Sequence, residues 1–181
     1  MFAGMLASGR WTEARGANIL DTGAPWYECY ETQDGKFVSV GAIEPKFYAE
    51  LITRLELDNA VLPPQHDRTG WPELRSRFAA AFRSKTRDAW CAVFEGSDAC
   101  FAPVLTFSEA RMHPHNVSRQ GSVTISDVPQ PAPAPRFQRT PGGVRNPAPE
   151  PGALGAQALV DWGFSASDID TLASLGAGFT R

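Results

Sequence analysis

Disulfide-forming cysteine, long apolar runs and concentrated charge are all lacking in this sequence, and each lack narrows what the chain can be. Cysteine occurs three times, at Cys29, Cys91 and Cys100, an odd number with no CxxC spacing. That pattern excludes a disulfide framework and a zinc site and predicts buried thiols in a reducing compartment. No apolar run approaches the length that crosses a bilayer. The first residues, MFAGML, have neither a basic n-region nor a long apolar core, so no signal peptide is expected. Net charge is −3 with no long basic run, which gives nucleic acid and anionic membranes no electrostatic handle. A soluble, cytoplasmic chain is the expectation. What is present suffices for a packed core: 181 residues, 43% hydrophobic and an ordinary 20% charged, suit one domain or one and a fraction.

The stretch that organises the rest runs from Tyr27 to Leu55, YECYETQDGKFVSVGAIEPKFYAELITRL. Its first part predicts a β-hairpin. Tyr27 and Cys29 alternate with Glu28 and Tyr30 before the turn, and Phe37 and Ser39 alternate with Val38 and Val40 after it. Between them Asp34-Gly35 supplies a pair suited to the positive φ angles of a tight turn. The second strand ends on a carboxylate, Glu44, and Pro45 follows at once, as suits the first turn of a helix. Backbone N–H groups point outward at such a junction, and the helix dipole favours negative charge there. On these residues alone Glu44 is either a helix cap or a functional carboxylate, the cap being the commoner role.

On the N-terminal side, Met1, Phe2, Met5 and Leu6 have the spacing of an apolar helical face that starts without a capping residue, like the tail of a longer helix. Gly9, Gly16, Asn18 and Gly23-Ala24-Pro25 then make a linker. Asp21 reads as a turn-stabilising residue that bonds the backbone two positions on, in preference to a catalytic acid. After Glu44, Phe47, Leu51 and Leu55, widened by Tyr48 and Ile52, define a helix with Glu50 and Arg54 paired on its wet side. Pro63-Pro64 ends that unit. A second helix over 71–84 carries Leu74, Phe78 and Phe82 four apart, with Arg75, Arg77 and Arg83 read as a solvated face. A third, from Thr86 to Phe94, buries Trp90, Val93 and Phe94.

CFAPVL, residues 100–105, is a short apolar strand that Pro103 confines to an edge or a bulge. Thr106 to Glu109 and Ser165 to Asp168 are capping-box signatures. His113 and His115 flank Pro114 without a further ligand at metal spacing and read as a turn, and His66 stays uncommitted. From Gly121 the composition changes: eight of the 15 prolines lie between residues 121 and 151. This predicts an extended strap, poor in core, laid over another domain or subunit, with Phe137 as anchor and Arg136 and Arg139 open to a partner. Two short helices close the chain, one carrying Leu154, Ala158, Leu159 and Trp162, the other Ile169, Leu172 and Leu175.

NILDTGAPWYECYETQDGKFVSVGAIEPKFYAEL, WPELRSRFAAAF, SDACFAPVLTFSEA, PAPRFQRTPG and LVDWGFSASDIDTL, in this order, resemble the α-methylacyl-CoA racemases, a branch of the class III CoA-transferase family. The resemblance runs from Met1 to about Leu175. GAIEP points to the racemase branch, because the transferases seldom carry a glutamate-proline pair there. It implies an α+β fold: a small mixed domain with a β-hairpin and packed helices, then a proline-rich return strap and terminal helices that would dock on a large α/β domain absent from this chain. The implied divisions are 1–25, the end of a large-domain helix and a linker; 26–112, the small domain; 113–152, the strap; and 153–181, the returning helices.

Family members are about twice as long, and the catalytic histidine and aspartate, with the CoA contacts, belong to the half that nothing here matches. The resemblance therefore implies the C-terminal part of a racemase that epimerises 2-methylacyl-CoA thioesters by removing and returning the α-proton, and that is inactive alone. A fragment of a CoA-transferase and a non-catalytic dimerisation remnant are the alternatives. Glu44 is implied as a supporting residue that pairs with the missing histidine, and Leu20, Tyr27 and Ile43 as acyl-pocket positions. No metal and no separate cofactor are implied, since CoA enters as part of the thioester. The implied partners are acyl-CoA and the large domain or a second subunit, in an interlocked homodimer.

Overall fold

In the computed structural model, which describes residues 1–177, the chain divides into two compact units that meet in sequence at Thr106 and Phe107. The first begins with a short helix, α1 (Phe2–Ala7), none of whose residues is buried; Phe2 and Leu6 are exposed, Phe2 meeting the ring of Trp11 edge-on. Its centre is a three-stranded antiparallel sheet in the order β1 (Tyr27–Glu31), β2 (Phe37–Gly41), β3 (Phe101–Val104). The strand alternation holds as expected. Tyr30, Val38 and Val40 are buried, whereas Cys29 and Phe37 face outward and are exposed.

The hairpin turn differs from the expected pair of left-handed residues. Only Gly35 has positive φ, at 70°, and the Gly35 amide donates to the Thr32 carbonyl while the Thr32 amide donates to that of Lys36. This is a turn followed by one left-handed bulge residue, in which glycine alone bears no steric cost. Asp34 does a different job. Its Oδ1 accepts from the Thr32 hydroxyl at 2.6 Å and from the Arg87 amide at 3.0 Å, so the turn is fastened to the first residue of α4 (Arg87–Phe94). Those two bonds, the Thr32 bond foremost, hold the Asp34 carboxyl below its usual range.

The buried face of the sheet is covered by α2 (Pro45–Arg54), α3 (Trp71–Phe82) and α4. The helices bury Tyr48, Leu51 and Ile52; Leu74, Phe78 and Phe82; Trp90 and Phe94, whereas Phe47 and Val93, expected in the same stripes, are only partly buried against the core. Phe82 sits at the middle, stacked on Tyr30 at 5.1 Å and edge-on to Trp90 at 5.3 Å. Each such ring, fully buried, contributes about 1.5–3 kcal/mol from transfer out of water. The polar handles of these aromatics are partly spent: the Trp90 indole donates to the Phe82 carbonyl and the Tyr30 hydroxyl to that of Pro25. Burial pushes the phenols up, that of Tyr48 to about 12.

β3 is an edge strand, as Pro103 requires. In the register Val38↔Pro103 the proline lies at a position that donates nothing to β2. The thiols depart from expectation. Cys29 and Cys100 are exposed and Cys91 is half-buried, because the first two fall on the uncovered face or end of the sheet.

The second unit carries α5 (Phe107–Met112), α6 (Pro114–Ser118), a hairpin of β4 (Ser122–Ile125) and β5 (Val128–Pro131), and the helices α7 (Gly155–Asp161) and α8 (Ala166–Ser174). The hairpin replaces part of the extended strap. Its two-residue loop, Ser126-Asp127, has positive φ at both positions, 48° and 63°, which matches the right-handed twist of the strands. Pro129 and Pro131 pair with Thr124 and Ser122, the positions where no ladder bond is made, so two prolines at a spacing of two fit without loss. Arg136 donates to the Gln120 carbonyl at 2.7 Å while staying exposed, and Phe137 is exposed as well. Ser165 and Asp168 form the expected reciprocal cap on α8, whereas Trp162, expected on an apolar face, is exposed at the end of α7.

Candidate functional site

The junction between β2 and α2 is built from bonds on both sides of the strand end. The Gly41 amide donates to the Cys100 carbonyl and the Ala42 amide to that of Trp26, each at 2.9 Å, so β2 is gripped by both neighbours as it leaves the sheet. The Ile43 amide then folds back onto the Gly41 carbonyl at 2.9 Å, and Glu44 follows in extended conformation as the residue before the helix. Its carbonyl accepts from the Tyr48 amide, starting α2, but its carboxylate makes no cap bond. Pro45 has removed the first N–H, and the side chain is exposed. Among the described residues the carboxylate has no hydrogen-bond partner, so the cap role left open by the sequence is not the one it fills.

Behind this junction stands Gln65. Its side-chain amide donates to the carbonyls of Ala42 at 3.2 Å and Ile43 at 3.0 Å, and its own carbonyl accepts from the Trp71 indole at 3.1 Å. No motif marks this residue. The only sequence signal is the adjoining Pro63-Pro64, which reads simply as a stop.

Beside the junction, the outer face of the sheet carries an open groove of about 320 Å³ lined by Tyr27, Cys29, Ser39, Gly41 and Cys100 among others. Gly41 is part of this lining, and a Cβ there would come into ordinary contact, at 3.9 Å, with the Tyr27 ring and the Cys100 Cβ. Burial raises the Cys100 thiol above its ordinary value, and the negative charges of Glu44 and then Asp98 raise it further. Tyr27 is on the groove wall. Ile43 immediately precedes Glu44 and packs against the core, and Leu20 is half-buried in the preceding loop, outside the groove lining.

That loop is tied by two residues. Asp21 accepts from the amides of Asn18, Gly23 and Gly16 and from the Asn18 side chain at 2.7–3.3 Å, as a turn residue does. Burial opposes its charge, yet the Asn18 bonds and the other donors prevail and lower the carboxyl below its usual range. Arg75, expected on a solvated face, instead pairs with Glu28 and donates to the carbonyls of Thr22 and Gly23 at 2.8 Å. The histidines stay apart. His66 meets the Trp26 ring edge-on, and His113 accepts from the His115 amide at the start of α6. Among the described residues no cluster of three or more His, Cys, Asp or Glu could hold a metal ion.

The sequence model of CoA-transferase family III matches residues 1–154. The chain belongs to CoA-transferase family III. Among family members it is 46% identical over 165 residues to the α-methylacyl-CoA racemase of Mus musculus, covering 89% of this chain and 43% of that protein. It is 42% identical over 167 residues to the human α-methylacyl-CoA racemase, covering 91% of this chain and 44% of that one. The chain thus spans less than half the length of these relatives. The crystal structure of the hypothetical protein Rv3272 from Mycobacterium tuberculosis superposes with TM-score 0.60 at 17% identity, over 74% of this chain and 39% of that one, and shares the fold. Among the described residues no helix is long and apolar enough to cross a membrane.

Proposed function

We propose that this chain supplies one wall of an acyl-CoA epimerisation site, in which Glu44 is the supporting carboxylate. The observation that carries the reading is that Glu44 stands three residues past Gly41, the end of a strand held on both sides and part of the wall of an open groove, with no hydrogen-bond partner for its carboxylate among the described residues. A carboxylate presented this way at a rigid junction suits pairing with an imidazole, as the third group of a catalytic triad does. The identity to racemases of mouse and human supports 2-methylacyl-CoA thioesters as the substrate class. Epimerisation removes the α-proton to give an enolate-like species, stabilised through the thioester carbonyl, and returns a proton to the opposite face. Two proton-transfer groups are needed, one on each face, and Glu44 alone cannot provide both. The histidine and aspartate that act there belong to the part of the relatives this chain does not cover. The chain by itself therefore has negligible activity. No cofactor is required beyond the CoA already in the substrate. The assembled form is an interlocked homodimer, cytoplasmic, that handles branched fatty acyl groups, with Leu20, Tyr27 and Ile43 beside the acyl chain.

Co-expression with the remaining N-terminal part of the mouse relative tests this. A soluble assembled pair exchanges the α-proton of a 2-methylacyl-CoA in D₂O, and Glu44→Gln slows that exchange by about ten- to a hundredfold. An assembled pair that moves CoA to a free acid without exchange makes the chain part of a transferase instead. A pair inert in both assays leaves a dimerisation module as the reading.

A further inference from the structure

We propose that Gln65 is the positioning residue for Glu44, holding the strand exit in the one conformation that aims the carboxylate out of the junction. The inference rests on the reading of Glu44 above and adds a residue to it. The residues from Ala42 to Glu44 leave the sheet ladder before the helical ladder has begun, so their backbone has few regular bonds to fix it. The Ala42 and Ile43 carbonyls, the last before Glu44, both accept from the Gln65 side-chain amide, at 3.2 and 3.0 Å. One bond goes to the Ala42–Ile43 peptide and the other to the Ile43–Glu44 peptide, so a single planar group holds two consecutive peptides relative to each other. That sets the direction of the Glu44 side chain, which makes no cap bond of its own.

The brace is itself anchored. The Trp71 indole donates to the Gln65 carbonyl at 3.1 Å, and Trp71 is buried edge-on to Trp26 at 5.3 Å. On one side of Gln65, Pro63 packs so close to Gly70 that a Cβ at Gly70 would lie 2.4 Å from it. On the other, His66 rests on Trp26 at 5.6 Å. The Gln65 loop is therefore clamped to the same tryptophan whose carbonyl receives the Ala42 amide. Strand exit and brace share one rigid reference.

Nuclear magnetic resonance on the 181-residue chain tests the placement without activity. In the wild type, couplings through the hydrogen bonds link the Gln65 side-chain nitrogen to the Ala42 and Ile43 carbonyl carbons. In Gln65→Leu the backbone order parameters of Ile43 and Glu44 fall from about 0.85 toward 0.6, with those of β1 and α3 unchanged. Undetectable couplings, or order at Ile43 and Glu44 equal to wild type, overturn the proposal. Should Gln65→Leu fail to fold, the wild-type couplings decide. In the assembled pair Gln65→Leu lowers kcat about ten- to a hundredfold with KM little changed, and Gln65→Lys, which keeps a donor, restores part of it. A loss confined to KM overturns the positioning role. A wild-type pair without proton exchange counts against the functional reading instead, and the couplings and order parameters still decide on Gln65.

Discussion

Arg75 and Glu28 form an ion pair that joins α3 to β1, and the same guanidinium donates to the carbonyls of Thr22 and Gly23. One side chain thus ties helix, strand and the preceding loop together. Arg75→Ala is expected to lower stability by about 1–3 kcal/mol, the range for hydrogen bonds to charged groups, discounted because the pair is partly solvated. Arg75→Lys recovers little, since an ammonium cannot form the fork. Urea midpoints equal to wild type in both variants would contradict this.

Phe82 packs against Tyr30, Trp90, Phe94 and Phe101 at ring separations of 5.1–6.5 Å. Phe82→Ala removes the centre of this cluster and is expected to cost about 3–5 kcal/mol, by lost transfer free energy and the cavity left behind. Chemical denaturation measures it. A cost under about 1 kcal/mol would mean the four neighbouring rings collapse into the space.

Asp21 carries a sharp pH prediction. Its folded pKa lies below the unfolded value near 3.8, so the stability it contributes is fully present above that value. It is lost as pH falls through the lower folded pKa. The stability gap between wild type and Asp21→Asn should hold steady from neutral pH to the ordinary carboxylate range and close in more acid solution. Unfolding midpoints across that range test it, and a gap independent of pH would rule out the carboxylate as its source.

The thiols should react slowly and in a set order. Burial raises all three above the ordinary value of 9.0, and nearby Glu28, Asp88 and Glu44 add to it at Cys29, Cys91 and Cys100 respectively. Maleimide labelling at neutral pH is expected to be sluggish and to accelerate as pH rises, with exposed Cys29 and Cys100 ahead of half-buried Cys91. Glu44→Gln should speed Cys100 and leave Cys29 alone. Peptide mass spectrometry reads this directly, and equal rates at Cys100 with and without Glu44 would place the carboxylate away from the groove.

Local rules carried the sequence reading a long way. Alternation at 27–41 and the four-residue spacing of Leu74, Phe78 and Phe82 are properties of a single element, and the structure follows them. What escaped is remote. Arg75 meets Glu28 across 47 residues, Arg87 meets the Val104 carbonyl across 17, and Gln65 meets Ala42 across 23. A polar side chain on a helix face or in a loop does not announce a distant partner, so these read as solvated or went unmarked. The hairpin at 122–131 escaped for another reason. Proline in quantity signals extended chain, and Ser126-Asp127 is not the usual pair for a turn with two left-handed residues. At Glu44 the place was legible from Pro45, but whether the carboxylate turns back to cap the helix depends on a side-chain orientation that no neighbouring residue type dictates.

Pro103, Pro129 and Pro131 share a consequence beyond their own strands. Each sits where its ring nitrogen faces away from the paired strand, toward the outer edge of its sheet. A foreign strand arriving at the free side of β3 or β5 would offer carbonyls to positions that have no N–H to give. At the β3 and β5 edges the prolines act as chain terminators, in the polymer chemist's sense, which leaves β1 and β4, whose sequences carry no proline, as the edges that keep their N–H groups.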